Sequence, residues 1–275
     1  MKDERYYEKL HNEKSVYWDS VYKLDERELS VYAMHYVQRR NIIWQIISGL
    51  PKRENKTALD AGCGPGAYIP ILLHENYEVD ALDSAEEMLD RARENIPDGL
   101  KQSVHFHRGN VQSLKFNDAT FDLVLSVGVI MYIQDDVKAV QEMCRVLKPG
   151  GTLIVVIDNK RNLADLIDIP ARARNLLKKL HRYFFQCRSQ GHSKEFSGAR
   201  TYSPHEIKSL LRQNGLEIEV EASTGINPFL FDGKRIFTNR IDMRLEKTLK
   251  GTTKLPGLKR TGYIYICSGR RPANN

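Results

Sequence analysis

Leu59-Asp60-Ala61-Gly62-Cys63-Gly64-Pro65-Gly66 decides how the chain is read. A short apolar lead-in, Thr57–Asp60, runs into three glycines at alternate positions, and a helix-compatible stretch follows. That order predicts a strand, a tight turn and a helix start, with backbone free to lie against a ligand. Asp60, two positions before the first glycine, sets the polarity. A cradle for phosphates has no use for a carboxylate there, whereas a site for a cationic small molecule does.

Working outward, strand and helix patterns alternate. Glu78–Asp83 reads as a second strand, and Ser84-Ala85-Glu86-Glu87 as a capping box opening a helix to about Asn95. Val104–Arg108 is a third strand. Phe121–Ser126 is continuously apolar, as expected of a strand covered on both faces. A helix from Asp135 places Val137, Val140, Cys144 and Leu147 on one side, and Lys148-Pro149-Gly150-Gly151 ends it before a fifth strand, Thr152–Ile157. Such alternation predicts a doubly wound, mostly parallel α/β sheet whose ligands sit at the carboxyl ends of the strands. Asp60, Asp83, Asn110, Ser126 and Asp158 all fall at or just past those ends.

The flanks differ from this core. Residues 1–50 read as a Tyr-rich helical cap, with Val37, Trp44 and Ile47 on an amphipathic helix that runs to Gly49 and Pro51. Residues 159–200 show no strand pattern. Within them Pro170–Arg188 is amphipathic, with Leu176, Leu177, Leu180, Tyr183 and Phe184 on one side and Arg172, Arg174, Lys178, Lys179 and Arg182 on the other. Ser203-Pro204-His205-Glu206 is a second capping box, its helix ending at Gly215, and Leu216–Ala222 and Tyr263–Ser268 alternate as the last two strands. The expected organisation is one domain over 1–275: a cap (1–50), a cofactor-binding core (55–158), a basic lid insert after strand five (159–200) and a closing helix with two strands (201–275).

Composition narrows the partners. Residues 1–158 hold 19 Lys+Arg against 25 Asp+Glu, and residues 159–275 hold 23 against 10. An acidic core followed by a basic half points to an anionic partner or surface. The amphipathic insert fits a lid with a solvated basic face, a contact with anionic membrane, or a nucleic-acid face; the sparse aromatics among its basic residues speak against single-strand stacking. Cys63, Cys144, Cys187 and Cys267 are too scattered for a disulfide framework or a zinc site. The polar start lacks an apolar signal region, and no apolar run reaches the ~18 residues of a membrane span. A cytoplasmic protein without a metal is the expectation.

With these motifs in place, the chain resembles the class I S-adenosylmethionine-dependent methyltransferases. The match rests on LDAGCGPG at 59–66, VDALDSAEEMLDRAR at 79–93 and FDLVLSVGVIMYIQD through LKPGG at 121–151. The resemblance implies a seven-stranded sheet and S-adenosyl-L-methionine as cofactor. It implies that Gly62, Gly64 and Gly66 pass close to the methionyl part, that Asp60 faces the sulfonium and amino group, and that Asp83, with Ser84 beside it, accepts the ribose hydroxyls. Met88 packs on adenine, or is ordinary core. Asn110 and Val111 stand where the family has an acidic residue and a small one, so the contact to the adenine amino group is uncharged here. Ser126 lies under the cofactor. Gly62, Gly64 and Ala67 also satisfy a loose dinucleotide pattern, which Asp60 and the LKPGG turn oppose.

The resemblance fixes no catalytic residue, since the methyl donor is already activated and the protein mainly aligns the acceptor. Tyr132, His181 and His192 are the candidate catalytic groups, Tyr17, Tyr22 and Tyr132 the candidate acceptor contacts, and Arg39 or Arg40 a candidate for the cofactor carboxylate; packing or surface roles are open for each. The position after strand four reads Ser126-Val127-Gly128-Val129 rather than the Pro-Pro-aromatic motif of enzymes that methylate exocyclic base amines. The expected reaction is methyl transfer to an oxygen or nitrogen of a small molecule: quinone-like, lipid-linked or a secondary metabolite. The alternative is RNA or protein methylation through the basic half.

Overall fold

A computed structural model describes residues 31–163, 200–225, 234–249 and 258–273, with positions 166, 168, 169, 173, 230 and 231 between them. Five strands follow the expected alternation: β1 (Lys56–Ala61), β2 (Tyr77–Asp83), β3 (Val104–Arg108), β4 (Phe121–Val127) and β5 (Leu147–Asp158). β6 (Glu217–Thr224) and β7 (Ile264–Arg270) complete a seven-stranded sheet in the order β3-β2-β1-β4-β5-β7-β6. The first five strands run parallel, and β7 lies antiparallel between β5 and β6. A two-residue hairpin pairs Leu230–Phe231 with Lys234–Arg235.

Strand periodicity sorts the core into two layers. Ala58, Leu123, Leu125, Ile154 and Val156 face one side of the sheet. There they meet Ile43 and Ile47 of α1 (Val31–Ser48), Ile69 and Leu72 of α2 (Ile69–His74), and Leu89 and Ala92 of α3 (Glu86–Asn95). Leu59, Ala61, Val124, Leu153 and Val155 face the other side, covered by Val140 and Met143 of α4 (Asp136–Val146) and Ile207 and Leu211 of α5 (Pro204–Gln213). A sixth helix, α6 (Asn239–Leu249), packs on α1. Burying a large aliphatic side chain contributes roughly 1.5–3 kcal/mol, so these two layers supply most of what holds the helices to the sheet.

Local signals hold where side chain and backbone agree. Ser203 Oγ accepts the Glu206 amide at 3.3 Å while the Glu206 carboxylate accepts the Ser203 amide at 2.6 Å, a complete capping box on α5. Asp135 caps α4 by accepting the Lys138 amide at 2.9 Å. Three expectations are corrected. Ser84 does not cap α3; Ala85 is the cap residue, and its amide goes to Asp83 Oδ1 at 2.9 Å. Val137 points to solvent, and Ala139, Val140, Met143 and Cys144 form the buried stripe of α4. Lys148–Gly151 belongs to β5, which starts at Leu147 opposite Phe121 and shifts register there.

The sequence-predicted helix at 170–188 and the first thirty residues of the cap lie outside the described residues. Among the described residues no helix is long and apolar enough to cross a membrane, and no group of His, Cys, Asp and Glu is arranged to hold a metal ion.

Candidate cofactor and acceptor cavity

The chain order reverses between β1 and β4: β2 and β3 stack on one side of β1, β4 and β5 on the other. The loops leaving these strands diverge there and leave a cleft. A cavity of about 530 Å³ occupies it, a size suited to a small-molecule ligand pair.

The turn after β1 forms one wall. Its amides are used up by the neighbouring strand: Gly62 and Cys63 both donate to the Leu82 carbonyl, at 2.7 and 3.0 Å, and Gly64 donates to Asp83 Oδ2 at 2.9 Å. The three glycines have left-handed backbone but different duties. A Cβ on Gly62 would stand 2.4 Å from Val129 Cγ2, and one on Gly66 would stand 3.1 Å from Ala92 Cβ of α3, so these two serve close packing. A Cβ on Gly64 would meet nothing within 4 Å, because the space beyond it is the cavity; the same is true of Gly128, after β4.

Asp83, Ser84 and Met88 line the cavity from the β2 end, Asn110, Val111 and Gln112 from the β3 end. Asp83 Oδ2 accepts the Gly64 amide and Oδ1 the Ala85 amide, so the carboxylate is held in place where it lines the cavity. Asn110 Oδ1 accepts the Gln112 amide at 2.8 Å, which fixes the direction of the side chain. Val127, Gly128, Val129, Met131, Tyr132, Ile133 and Gln134 continue the wall beyond β4, and Asp158 closes it at the end of β5.

Two predicted cofactor residues lie behind this wall. Asp60 is 1% exposed and Ser126 is fully buried, and neither lines the cavity. Both sit within their strands with the chain continuing past them, to Ala61 and to Val127, so the turn backbone and not the side chain reaches the ligand space. Asp60 Oδ2 and Ser126 Oγ have no hydrogen-bond partner among the described residues. Burial, helped by the neighbouring Asp83 charge, pushes the Asp60 carboxyl up to about 7. Gly66 likewise faces α3 rather than the cavity. Tyr17, Tyr22, His181 and His192 lie outside the described residues.

Arg39 is a predicted candidate for the cofactor carboxylate, whereas the sequence pattern does not single out Tyr36 and Tyr68. All three line the cavity. Arg39 is only 5% exposed, and its guanidinium lies 4.5 Å from the Tyr36 ring centre and 5.7 Å from that of Tyr68. Arg40 is exposed. Burial raises the Asp158 carboxyl, an effect opposed by the Arg39 charge. The available signal was the i, i+3 spacing of Tyr36 and Arg39, which puts both on one helix face.

Residues 59–155 match the methyltransferase domain family model, the span that contains the glycine turn, Asp83 and the β4–β5 wall. That span, about a third of the chain, is a methyltransferase domain. Relatives of this methyltransferase domain include the malonyl-[acyl-carrier protein] O-methyltransferase of Enterobacter lignolyticus, 33% identical over 122 residues, covering 44% of this chain and 47% of that protein. Another is the ubiquinone/menaquinone biosynthesis C-methyltransferase of Proteus mirabilis, 34% identical over 146 residues, covering 52% of this chain and 57% of that protein. The chain spans about half the length of these curated relatives. The solved magnesium protoporphyrin IX methyltransferase of Synechocystis has the same fold, with a TM-score of 0.61 at 15% identity over 98% of this chain and 100% of that one.

S-adenosylmethionine is the cofactor that a methyltransferase domain of this kind implies. The residues present fit it: Gly64 and Gly128 leave space a Cβ would fill, and Asp83 presents a carboxylate from the β2 end. Asp83, the carboxylate at the β2 end of the cavity, suits ribose hydroxyls and opposes a pyrophosphate placed against it.

Proposed function

We propose that the chain transfers a methyl group from S-adenosylmethionine to an oxygen or nitrogen of a small-molecule acceptor. The observation that carries this reading is the division of the cavity wall along the sheet. Most polar positions (Asp83, Ser84, Asn110, Gln112) come from the β1–β3 side, together with the apolar Met88 and Val111. Aromatic and apolar positions (Tyr132, Met131, Ile133), with Asp158, come from the β4–β5 side. A polar cofactor and a largely apolar acceptor would share one chamber.

When bound, S-adenosylmethionine supplies a methyl group already activated on a sulfonium. In this reading Asp83 holds the ribose hydroxyls, Met88 and Val111 flank the adenine, and Asn110 accepts from the adenine amino group. Arg39, stacked on Tyr36, faces an anionic group of cofactor or acceptor. Tyr132 helps align the acceptor, and the apolar side chains beside it limit the water around the reacting groups. The names of the relatives, which act on a carrier-bound malonyl group and in quinone biosynthesis, support an acceptor with an apolar or carrier-linked body.

The test is incubation of the purified chain with methyl-labelled donor and fractionated cell extract. Label in the organic or small aqueous fraction supports the reading. Label in RNA, or in protein that thioester cleavage does not release, would replace it with methylation of a macromolecule through the basic half. Failure of the chain to bind S-adenosylhomocysteine in calorimetry would overturn the cofactor assignment itself.

A further inference from the structure

α6 is built with its charges sorted. Asp242 and Glu246 are buried against α1, where Glu246 accepts from Gln38 Nε2 at 3.0 Å and lies 3.6 Å from His35 Nε2. Arg240, Arg244 and Lys247 are exposed, and none forms an ion pair with another described residue. At 3.6 residues per turn, positions 240, 244 and 247 fall on one stripe and 242 and 246 on the opposite one.

Apolar side chains accompany this cationic stripe. Ile236 is 51% exposed, Phe237 38% and Ile241 43%, three of the large apolar residues that solvent reaches. They fall within six consecutive positions, and Ile241 lies on the exposed side of α6 beside Arg244. Isolated exposed apolar residues are ordinary, but a run of them interleaved with unpaired cations is the pattern of a helix that rests on a lipid interface.

The topology places this face. β6 runs parallel to β5, because each is antiparallel to β7; Asp158 and Thr224 are both level with Ile264. The excursion from β6 to β7 that contains α6 therefore leaves and re-enters the sheet at the edge that carries the cavity.

Charge decides the occupant. The segment 170–188 contains six Lys+Arg and no Asp or Glu, so it cannot neutralise a cationic stripe. A nucleic acid would answer the cations but would leave Ile236, Phe237 and Ile241 without a role. An anionic lipid surface answers both, with headgroups against the cations and the interfacial layer against the apolar side chains.

We infer that the Ile236–Lys247 face docks on an anionic membrane surface, beside the edge of the sheet that holds the cavity. This rests on residues separate from the 170–188 segment and does not depend on the identity of the acceptor.

The experiment is flotation of the full chain with phosphatidylcholine vesicles, with and without roughly 30 mol% phosphatidylglycerol, at about 0.1 M salt. The expected result is binding to the anionic vesicles alone. Two triple variants, R240Q/R244Q/K247Q and I236S/F237S/I241S, each weaken it by at least about tenfold. Both bind S-adenosylhomocysteine as the unsubstituted chain does, which shows that the fold and cavity persist. Three results overturn the inference: no binding to anionic vesicles, binding that both variants retain, or loss in the charge variant with full retention in the apolar variant. The last would mark a purely electrostatic face, suited to nucleic acid.

Discussion

The Asp83 carboxylate accepts the Gly64 amide at 2.9 Å, so the last side chain of β2 clamps the turn that leaves β1. Its other oxygen holds the Ala85 amide at 2.9 Å and sets the start of α3. One residue thus shapes the turn and presents a carboxylate to the cavity. Asp83→Ala is expected to weaken S-adenosylhomocysteine binding by about 1–3 kcal/mol, the cost of unpaired buried polar groups. It is also expected to lower the melting temperature, because two backbone donors lose their partner. Calorimetry and a thermal melt read the two effects separately, and unchanged affinity would remove Asp83 from the ribose site.

Gly62 and Gly64 are two residues apart and are expected to fail differently. A methyl at Gly62 runs into Val129, so Gly62→Ala should destabilise the fold by roughly 1–3 kcal/mol. A methyl at Gly64 enters the cavity, so Gly64→Ala should cost stability only through its left-handed backbone, on the order of 1 kcal/mol, while abolishing cofactor binding. Chemical denaturation paired with titration of each variant distinguishes them. A Gly64→Ala protein with normal affinity would refute the cradle.

How far the sequence reached follows from the range of the signals it carries. β1 to β5 and the Ser203 capping box were legible because period-two burial and a side chain three residues from its target are local properties. The cavity wall was legible only in part, since it joins residues from α1, β2, β3, β4 and β5. Asp60 and Ser126 look like rim residues in a linear reading, yet each strand runs one residue further and turns them under the wall. Arg39 and Arg40 are interchangeable candidates in a linear reading, and only the Tyr36 and Tyr68 rings beside it single out Arg39. Ser84 has the right spacing for a cap, but the Asp83 carboxylate reaches the Ala85 amide first.

Glu221 of β6 gathers three donors from three elements: Lys208 of α5 at 3.2 Å, Arg260 at 2.7 Å and the Tyr265 hydroxyl of β7 at 2.8 Å. Burial alone would raise its carboxyl, but the hydrogen bonds from Arg260, Tyr265 and Lys208 outweigh it and bring the value to about 2. A depressed value means stability that is complete above the ordinary glutamate range and is lost as pH falls toward 2. Glu221→Ala strands a buried Lys208 and is expected to cost about 3–5 kcal/mol near neutral pH. The difference from the unsubstituted chain should shrink in acid, which denaturant titration at several pH values would show. A pH-independent difference would mean the loss is one of packing.

Asp60 makes the opposite prediction. Burial and then Asp83 lift its carboxyl from 3.8 to about 7, so the folded chain takes up a proton that the unfolded chain has released. Its contribution to stability is complete below about 3.8 and declines as pH rises toward 7. A cation in the cavity favours the ionised carboxylate and pulls the other way. S-adenosylmethionine and S-adenosylhomocysteine share their amino and carboxyl groups and differ in the sulfonium charge. The affinity for S-adenosylmethionine should therefore rise on the order of tenfold between about pH 6 and about pH 8, and that for S-adenosylhomocysteine should not follow. Asp60→Asn, with no charge to gain, should flatten the difference and raise stability above neutral pH. Paired calorimetric titrations at the two pH values decide it: parallel profiles for the two ligands in the unsubstituted chain would show that the buried carboxylate does not sense the sulfonium through the turn.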